Sequence, residues 1–188
     1  MADEVTPTGY ALLGLLSYAE ELSGYELKQW ADASLRFFYT APPMSQVYAE
    51  LERLTAAGLL QAREVASGAV RRTRVHSITD AGRQELKRWL TEEPVELPTL
   101  KHHLALRVFL GHVAGPDRIR ALLDEQREGY RSLLADLLEV RARLSDDAHW
   151  RWAALVAEWG IAYYEGEIAA LDRLEKALAA LTEPPTSA

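Results

Sequence analysis

The sequence predicts a mainly α-helical protein in which one β-hairpin interrupts the first half. Three observations lead to this prediction. Apolar residues recur at spacings of three and four through most of the chain, as they do along one face of a helix. Alternating patterns occupy residues 60–66 and 70–78, on either side of a Ser67-Gly68 turn signal. Pro94 and Pro98 then mark a linker before a second half made of long helices.

The first two helices are predicted at about 8–19 and 24–35. Ser23 is suited to cap the second of them, and Glu26 three residues later completes the pattern of a capping box. In such a box each side chain bonds the backbone N–H of the other residue, so the second helix has a defined start.

A third helix is predicted at about 43–58, where Val47, Leu51 and Leu54 form the buried stripe and Gly58 ends the helix. At 100° per residue the outward face then holds Ser45, Ala49, Glu52, Arg53 and Ala56, with Gln46 and Tyr48 on its flanks. This face is small and polar, which allows a partner to approach closely. Pro42-Pro43 precedes the helix, so its cap must come from another residue.

The hairpin places Arg71, Arg72 and Arg74 beside its turn, and the two-residue period puts Arg72 and Arg74 on one face of the strand. Thr79-Asp80 then caps a fourth helix at 80–92, whose Leu86 and Leu90 are expected to face inward.

The second half reads as two long amphipathic helices. The apolar positions of the first follow a near-heptad rhythm: Ile119, Leu122, Gln126, Tyr130, Leu133, Leu137, Val140 and Leu144. The second begins near 149 and has its own stripe: Trp152, Val156, Trp159, Tyr163, Leu171, Leu174, Leu178 and Leu181. A small domain cannot bury both stripes alone, so a helical dimer interface is expected.

The predicted domains are residues 1–92, a linker at 93–98, and a helical dimerisation and effector domain at 99–188.

The charge distribution separates the two halves. The whole chain holds 21 basic and 28 acidic residues for a net charge of −7, which by itself argues against nucleic acid as a partner. Residues 91–188 hold 17 of the acidic residues, whereas residues 36–88 hold 9 basic and 5 acidic ones. One segment therefore carries a local positive surplus.

Several classes of protein are disfavoured. The chain has no cysteine, which excludes disulfides and thiolate chemistry. His102, His103 and His112 lack the spacing of a metal site, and no nucleophile–base set or glycine-rich phosphate loop is present, so neither cofactor, metal nor enzymatic activity is expected. The acidic N-terminus and short apolar runs predict neither signal peptide nor membrane span, and the expected location is the cytoplasm.

The predicted order of helices and hairpin is that of a winged helix-turn-helix domain, whose third helix enters the DNA major groove while the hairpin, or wing, contacts the flanking DNA. Ser45 and Gln46 are suited to reach bases or phosphate, Arg53 to bind phosphate, and the wing arginines to enter a minor groove or clamp a phosphate. Two interpretations without DNA stay open. The outward face of the third helix could simply be solvated, and the arginines could mark an edge strand whose charges prevent aggregation. A winged helix that binds protein instead of DNA is the alternative function.

Several motifs in this order resemble the PadR family of bacterial transcriptional regulators: YALLGLL at 10–16, SGYEL at 23–27, SQVYAELERL at 45–54, GLL at 58–60 and ITDAGR at 78–83. WGIAYYE at 159–165 looks like the helical C-terminal domain of the longer, virulence-activator-like members. The resemblance implies a homodimeric repressor that binds a palindromic double-stranded operator, is often released by a small ligand, and has no enzymatic activity. By position it implies DNA contacts at Ser45, Gln46 and Tyr48, at Tyr25 and Lys28, and at the wing arginines. Ala49 replaces a proline that is common in the family at this place.

The residues leave the site of a small aromatic or hydrophobic effector open. Trp152, Trp159 and Tyr163 are candidates to line a pocket in a dimer, although such a stripe is more often core or interface. The segment 36–39, with Phe37 and Tyr39, is an equal candidate because it lies just before the third helix.

Overall fold

The computed structural model of the protein describes residues 4–67, 71–144 and 148–182, while the side chains of Ser67, Arg71 and Thr182 lie outside the description. The chain divides into two compact units, Met1–Glu96 and Leu97–Ala188. The first is a winged helix-turn-helix fold and the second is α-helical, as the sequence predicts. None of the helices in the described ranges combines the length and the apolar composition that a membrane span requires.

The described residues of the first unit form four α-helices and three strands. In chain order these are α1 Pro7–Leu16, β1 Leu22–Ser23, α2 Gly24–Ser34, a 3-10 turn Leu35–Phe37, α3 Met44–Ala56, β2 Leu60–Ser67, β3 Arg71–Ile78 and α4 Asp80–Glu92. Helix α1 ends three residues earlier than predicted, and β1 was not predicted. The chain must turn after α1 so that Leu22 and Ser23 can pair with His76 and Val75, and a two-residue strand has no alternating pattern to reveal it.

The three strands form an antiparallel sheet in the order β1-β3-β2. Strand β3 is therefore central, and its register with β2 runs from Leu60 opposite Ile78 to Ser67 opposite Arg71. Of the predicted turn, Ser67 ends β2, whereas Gly68 lies outside the described residues. Because side chains alternate along a strand, Arg72, Arg74 and His76 share one face of β3.

Helix α3 packs against the centre of the first unit through the stripe that the sequence predicts. Val47, Leu51 and Leu54 are buried together with residues of α1, α2, β2 and β3. Gly58 follows the helix with φ +74°, the left-handed conformation that glycine adopts without strain. Pro43 stands at the N-cap without a side-chain hydrogen bond, in agreement with the expectation that these prolines provide no cap.

The predicted caps of α2 and α4 are both present. The Ser23 hydroxyl accepts a hydrogen bond from the Glu26 N–H, and the Glu26 carboxylate accepts one from the Ser23 N–H. The Thr79 hydroxyl accepts a hydrogen bond from the Gly82 N–H at 3.0 Å. These caps fix the starts of the helices that follow β1 and β3 in the sequence.

The inward face of α4 differs from the prediction by one position. Leu86 packs against the core as expected, but its companion is Trp89, whereas Leu90 is 67% exposed. The prediction for Leu90 is wrong because the Trp89 ring stacks on Tyr10 of α1 and thereby sets the rotation of the helix.

The second unit comprises α5 His103–Phe109, α6 Gly111–Ala114, α7 Pro116–Arg143 and α8 Arg151–Thr182. The predicted stripe of α7 is buried or half-buried along its whole length. On α8 the buried residues include Ala157, Tyr164 and Leu171. Of the stripe predicted on α8, Trp152, Val156, Trp159 and Tyr163 lie on an exposed face, which leaves aromatic surface for the expected dimer interface.

The buried Arg127 links α7 to α8, and the more exposed Arg141 of α7 adds an ion pair with Glu158 of α8. The Arg127 guanidinium forms ion pairs with Asp124 on its own helix and with Asp172 and Glu175 on α8. Each of its three nitrogens donates to a carboxylate, so the buried charge is paired.

Candidate nucleic-acid interface

Helix α3 turns a polar face away from the core. Ser45, Gln46 and Tyr48 are all exposed, and the Tyr48 ring keeps 49% of its surface accessible. The small Ala49 lies beside them and is also exposed. The face therefore has hydrogen-bonding groups near the N-terminal end of the helix and little bulk, as close approach to a partner requires.

Tyr48 is positioned by the start of α2. Its ring lies directly over Gly24, where a Cβ atom would come within 2.6 Å of the Tyr48 Cε1 atom. The next residue, Tyr25, is 60% exposed, and its hydroxyl accepts a hydrogen bond from the Gln29 amide at 3.3 Å. The missing side chain at Gly24 thus lets α3 and α2 present two tyrosines close to the same helix start.

Three other predicted contacts have partners within the first unit. Lys28 forms an ion pair with Asp32 one turn along α2. The Gln46 amide donates to the Thr8 hydroxyl at 3.2 Å. Arg53 donates to the Glu50 carboxylate and to the backbone oxygen of Glu4, both at 3.0 Å. Arg53 therefore reaches toward the N-terminal segment in this structure.

The buried Glu50 explains that orientation. Its Oε1 atom accepts hydrogen bonds from the Thr6 hydroxyl at 2.9 Å and from Arg53 at 3.0 Å. Since a buried carboxylate needs a cation, Arg53 has a structural partner in addition to any phosphate it contacts.

The wing arginines differ in their pairing. Arg72 donates to the Glu64 carboxylate on β2 at 3.0 Å, and both side chains are largely exposed. Arg74 is exposed and makes no hydrogen bond or ion pair with any residue that the structure describes. The side chain of Arg71 lies outside the described residues. Arg74 is thus a cation available to an external anion.

A cleft of about 680 Å³ separates α3 and the start of α2 from the wing. It brings four of the predicted contacts together, namely Tyr25, Tyr48, Arg72 and Arg74. Lys28, Ser45, Gln46 and Arg53 are not in its lining. We call this space the wing cleft.

The wing cleft also contains His76, a residue that the sequence analysis did not single out. His76 is only 4% exposed, and its Nδ1 atom has no hydrogen-bond partner within the described part of the chain. Burial and the nearby Arg74 lower the pKa of His76, which keeps the ring neutral at pH 7. The two-residue period of a strand could have identified His76 from the sequence, because His76 follows Arg72 and Arg74 on the same face of β3.

The candidate effector residues lie in different units. Phe37 is buried, with the Arg36 guanidinium 4.4 Å from its ring centre, whereas Tyr39 is exposed. On α8 the rings of Trp159 and Tyr163 stack with centroids 5.7 Å apart, and Trp152 lies exposed on the same face. Exposed aromatic surface is therefore offered by Tyr39 in the first unit and by Trp152, Trp159 and Tyr163 in the second.

A polar cluster in the second unit was also missed by the sequence analysis. The Nδ1 atom of His102 accepts the N–H of Ala105 at the start of α5, so its Nε2 atom carries the proton in the neutral ring. Nε2 lies 3.3 Å from a carboxylate oxygen of Glu167 and 3.4 Å from the Tyr130 hydroxyl. Burial and Glu167 raise the pKa of Tyr130. The cluster joins α5, α7 and α8, and the described residues contain no metal-binding group of His and carboxylate side chains.

Comparisons with known proteins cover both units. The Transcriptional regulator PadR-like family matches residues 12–88, and the Virulence activator alpha C-term family matches residues 100–179. The negative transcriptional regulator PadR of Bacillus subtilis (strain 168) is 31% identical over 128 residues, which span 68% of this chain and 69% of that protein.

Solved structures are similar over nearly the whole chain. Bacillus subtilis PadR in complex with operator DNA has a TM-score of 0.82 at 25% identity, covering 92% of this chain and 99% of that one. The same protein in complex with p-coumaric acid has a TM-score of 0.72 at 25% identity, covering 94% and 96%. The Vibrio cholerae virulence activator AphA shares the fold, with a TM-score of 0.72 at 24% identity over 93% and 99%.

Proposed function

Because the chain belongs to the PadR-like family of transcriptional regulators, we propose that it represses transcription as a homodimer that binds operator DNA through α3 and the wing. It is a regulator and not an enzyme, in keeping with its family. The proposed DNA contacts are those predicted from the sequence: Tyr25, Lys28, Ser45, Gln46, Tyr48, Arg53, Arg71, Arg72 and Arg74.

The wing cleft is the observation that carries this proposal. It gathers two exposed tyrosines and two wing arginines on one surface, and Arg74 forms no ion pair with a carboxylate among the described residues. Tyrosine hydroxyls and arginine guanidinium groups donate hydrogen bonds to phosphate oxygens, and such contacts fix a protein on the DNA backbone. The polar end of α3 beside the cleft would then face the bases of a major groove.

The helical unit supports dimer formation. The exposed face of α8 holds Trp152, Leu155, Trp159 and Tyr163, and apolar side chains of this size rarely stay uncovered in a contiguous stripe. A second copy of α8 would cover the stripe through the same residues, as a two-fold interface requires. A dimer of this kind would bind two half-sites about 34 Å apart, and hence a palindromic operator.

We also propose that a small aromatic or hydrophobic effector releases the protein from DNA. The relative from Bacillus subtilis has been crystallised with operator DNA and with p-coumaric acid. The candidate lining residues are Phe37 and Tyr39 before α3, or Trp152, Trp159 and Tyr163 on α8. An effector acts if it binds the DNA-incompetent state more tightly than the competent one. The proposed place of action is the cytoplasm.

The test is binding to a fluorescent duplex from the DNA upstream of the protein's own gene, followed by anisotropy in about 50 mM salt. We expect binding by the full chain and a loss of affinity in Arg74→Gln, because Arg74 faces the wing cleft. Arg131→Gln is the matched control, since Arg131 is an exposed arginine of α7 that no carboxylate holds among the described residues. Equal losses of affinity in both variants would mean that Arg74 contributes only through the net charge of the protein and not through a specific contact. Absence of any binding would favour the protein-interaction alternative.

A further inference from the structure

His76 occupies an unusual place for an ionisable residue. It lies in the central strand β3, opposite Leu22 of β1 and Ala62 of β2, and it is almost fully buried. Its unpartnered Nδ1 atom would normally cost free energy, because a buried polar atom has lost its hydrogen bonds to water. Such an atom beside a cleft needs an explanation beyond packing.

The groups around His76 come from every wall of the wing cleft. Strand β3 contributes Arg72 and Arg74, and α3 contributes Tyr48 and Glu52. Strand β2 contributes Val65 and Ala66 to the lining, and its Glu64, opposite Arg74 in the register, lies on the same face of the sheet as His76.

Helix α2 contributes Tyr25 and Glu26 to the same lining. The Glu26 carboxylate is already held by the Ser23 hydroxyl at 2.7 Å and by the Ser23 N–H at 2.8 Å. Arg72 is likewise occupied by Glu64. Among the charged lining residues, Arg74 and Glu52 thus remain without a partner in the described part of the chain, and Arg74 is the cation nearest to His76 along the strand.

We propose that one backbone phosphate of the operator lies in the wing cleft between Tyr25, Tyr48 and Arg74, and that His76 takes up a proton when this phosphate binds. The proposal rests on the proposed DNA-binding function and adds a regulatory property to it. DNA binding by this protein becomes coupled to pH, with the phosphodiester as the ligand that the cleft accepts.

Two charges act on the His76 ring, that of Arg74 and that of the bound phosphate. In the free protein, burial and Arg74 both disfavour the charged ring, and they lower the pKa of His76. A phosphate over Arg74 cancels much of the positive potential that the ring experiences and adds an attraction for the imidazolium. The pKa of His76 is therefore higher in the complex than in the free protein. By linkage, a group that gains a proton on binding makes the affinity rise as pH falls.

The first test measures the dissociation constant for the duplex by anisotropy between pH 8 and pH 5.5 at fixed ionic strength. We expect the affinity to rise by about threefold or more per protomer as pH falls through the range in which the two forms of His76 differ. The variant His76→Gln is neutral at every pH, so it should bind at pH 8 and lose the rise. His112→Gln, which changes an exposed histidine of α6, should keep it.

The outcomes separate this inference from the function it rests on. An affinity that does not change with pH, or a rise that survives in His76→Gln, would overturn the proton uptake while leaving DNA binding intact. No binding of wild-type protein at any pH would overturn the DNA-binding function as well.

A second test does not depend on the stability of the variant. The Cε1–H signal of His76 in the wild-type protein is titrated against pH by NMR, with and without the duplex. We expect the midpoint to move to higher pH with DNA, and equal midpoints would contradict the proposal. Inorganic phosphate at the same phosphate concentration is the comparison ligand. We expect no shift with it, and a shift equal to that with DNA would assign the cleft to small anions instead.

Discussion

The hydroxyl of Tyr10 donates a 2.6 Å hydrogen bond to the Oε1 atom of Glu85, which joins α1 to α4. The Tyr10 ring also stacks on Trp89, with centroids 4.6 Å apart and planes inclined by 9°. Arg88 completes the cluster, because its guanidinium donates to both the Tyr10 hydroxyl and the Glu85 carboxylate. This cluster holds the last helix of the winged-helix unit in place.

The cluster makes stability depend on pH in the acidic range. Hydrogen bonds from Arg88 and Tyr10 lower the pKa of Glu85 to about 2, from an ordinary value of 4.5. A carboxyl with a depressed pKa contributes stability above pH 4.5, and this contribution is lost as pH falls from 4.5 toward 2. We expect Glu85→Gln to reduce the free energy of unfolding at pH 7 and to flatten its decline in acid, as measured by urea unfolding.

The matched control is Glu128→Gln, which changes an exposed carboxylate of α7 that is unpaired among the described residues. It should leave the pH profile unchanged. A profile for Glu85→Gln that parallels the wild type down to pH 2.5 would refute the assignment.

Gly82 is required by the packing at the start of α4. A Cβ atom there would overlap the backbone oxygen of Leu59 and crowd the Ile78 side chain. Since backbone cannot move aside as a flexible side chain can, we expect Gly82→Ala to reduce the free energy of unfolding by about 1–3 kcal/mol. Gly129→Ala is the control, because nothing lies within 4 Å of a Cβ there. Alanine in the interior of α7 should stabilise the protein by up to about 1 kcal/mol. Thermal unfolding of both variants shows whether the free energy of unfolding falls in the first and rises in the second.

Arg72 is expected to bind a phosphate of the operator at the cost of its ion pair with Glu64. If it does, Arg72→Ala should weaken DNA binding and reduce the slope of log affinity against log salt by about one unit per protomer. A titration of the bound duplex against salt measures both quantities. Unchanged affinity and slope would remove this wing residue from the interface.

Glu64 provides an internal check on that prediction. Glu64→Gln frees Arg72 and removes an acidic group near the DNA, so it should strengthen binding in the wild-type background. The gain should shrink when Arg72 is already alanine, because the two residues act through one pair.

The exposed stripe of α8 is expected to hold the dimer together. Trp159→Ser removes a large aromatic side chain that is not buried within the chain, so the fold should persist while the dimer dissociation constant rises about tenfold or more. Sedimentation equilibrium measures this constant. Glu165→Gln, on the same helix but outside the stripe, should leave it unchanged. A monomer–dimer equilibrium insensitive to Trp159 would place the interface elsewhere.

Local signals account for what the sequence predicts correctly. The buried stripe of α3, the capping box at Ser23 and Glu26, the Thr79 cap and the turn at Gly58 are each encoded within a few neighbouring residues. The motif order predicts the winged-helix fold because each part is local and the sequence of parts is distinctive.

Features set by distant contacts were not predictable in the same way. Strand β1 forms because its backbone pairs with β3. Leu90 is exposed because Trp89, and not Leu90, packs inward by stacking on Tyr10. The short helices α5 and α6 have too few residues to establish a periodic pattern. His76 was overlooked because its burial depends on two strands that flank it, one of which gave no signal.

The contact between Gly24 and Tyr48 has a consequence for how sequences of this kind can diverge. Any side chain at position 24 would strike the tyrosine ring, so a lineage that acquires one must also reduce or reorient residue 48. The two positions should therefore change together across relatives, although they lie on different helices. A substitution at either position alone should therefore affect DNA binding more than it affects the stability of the domain.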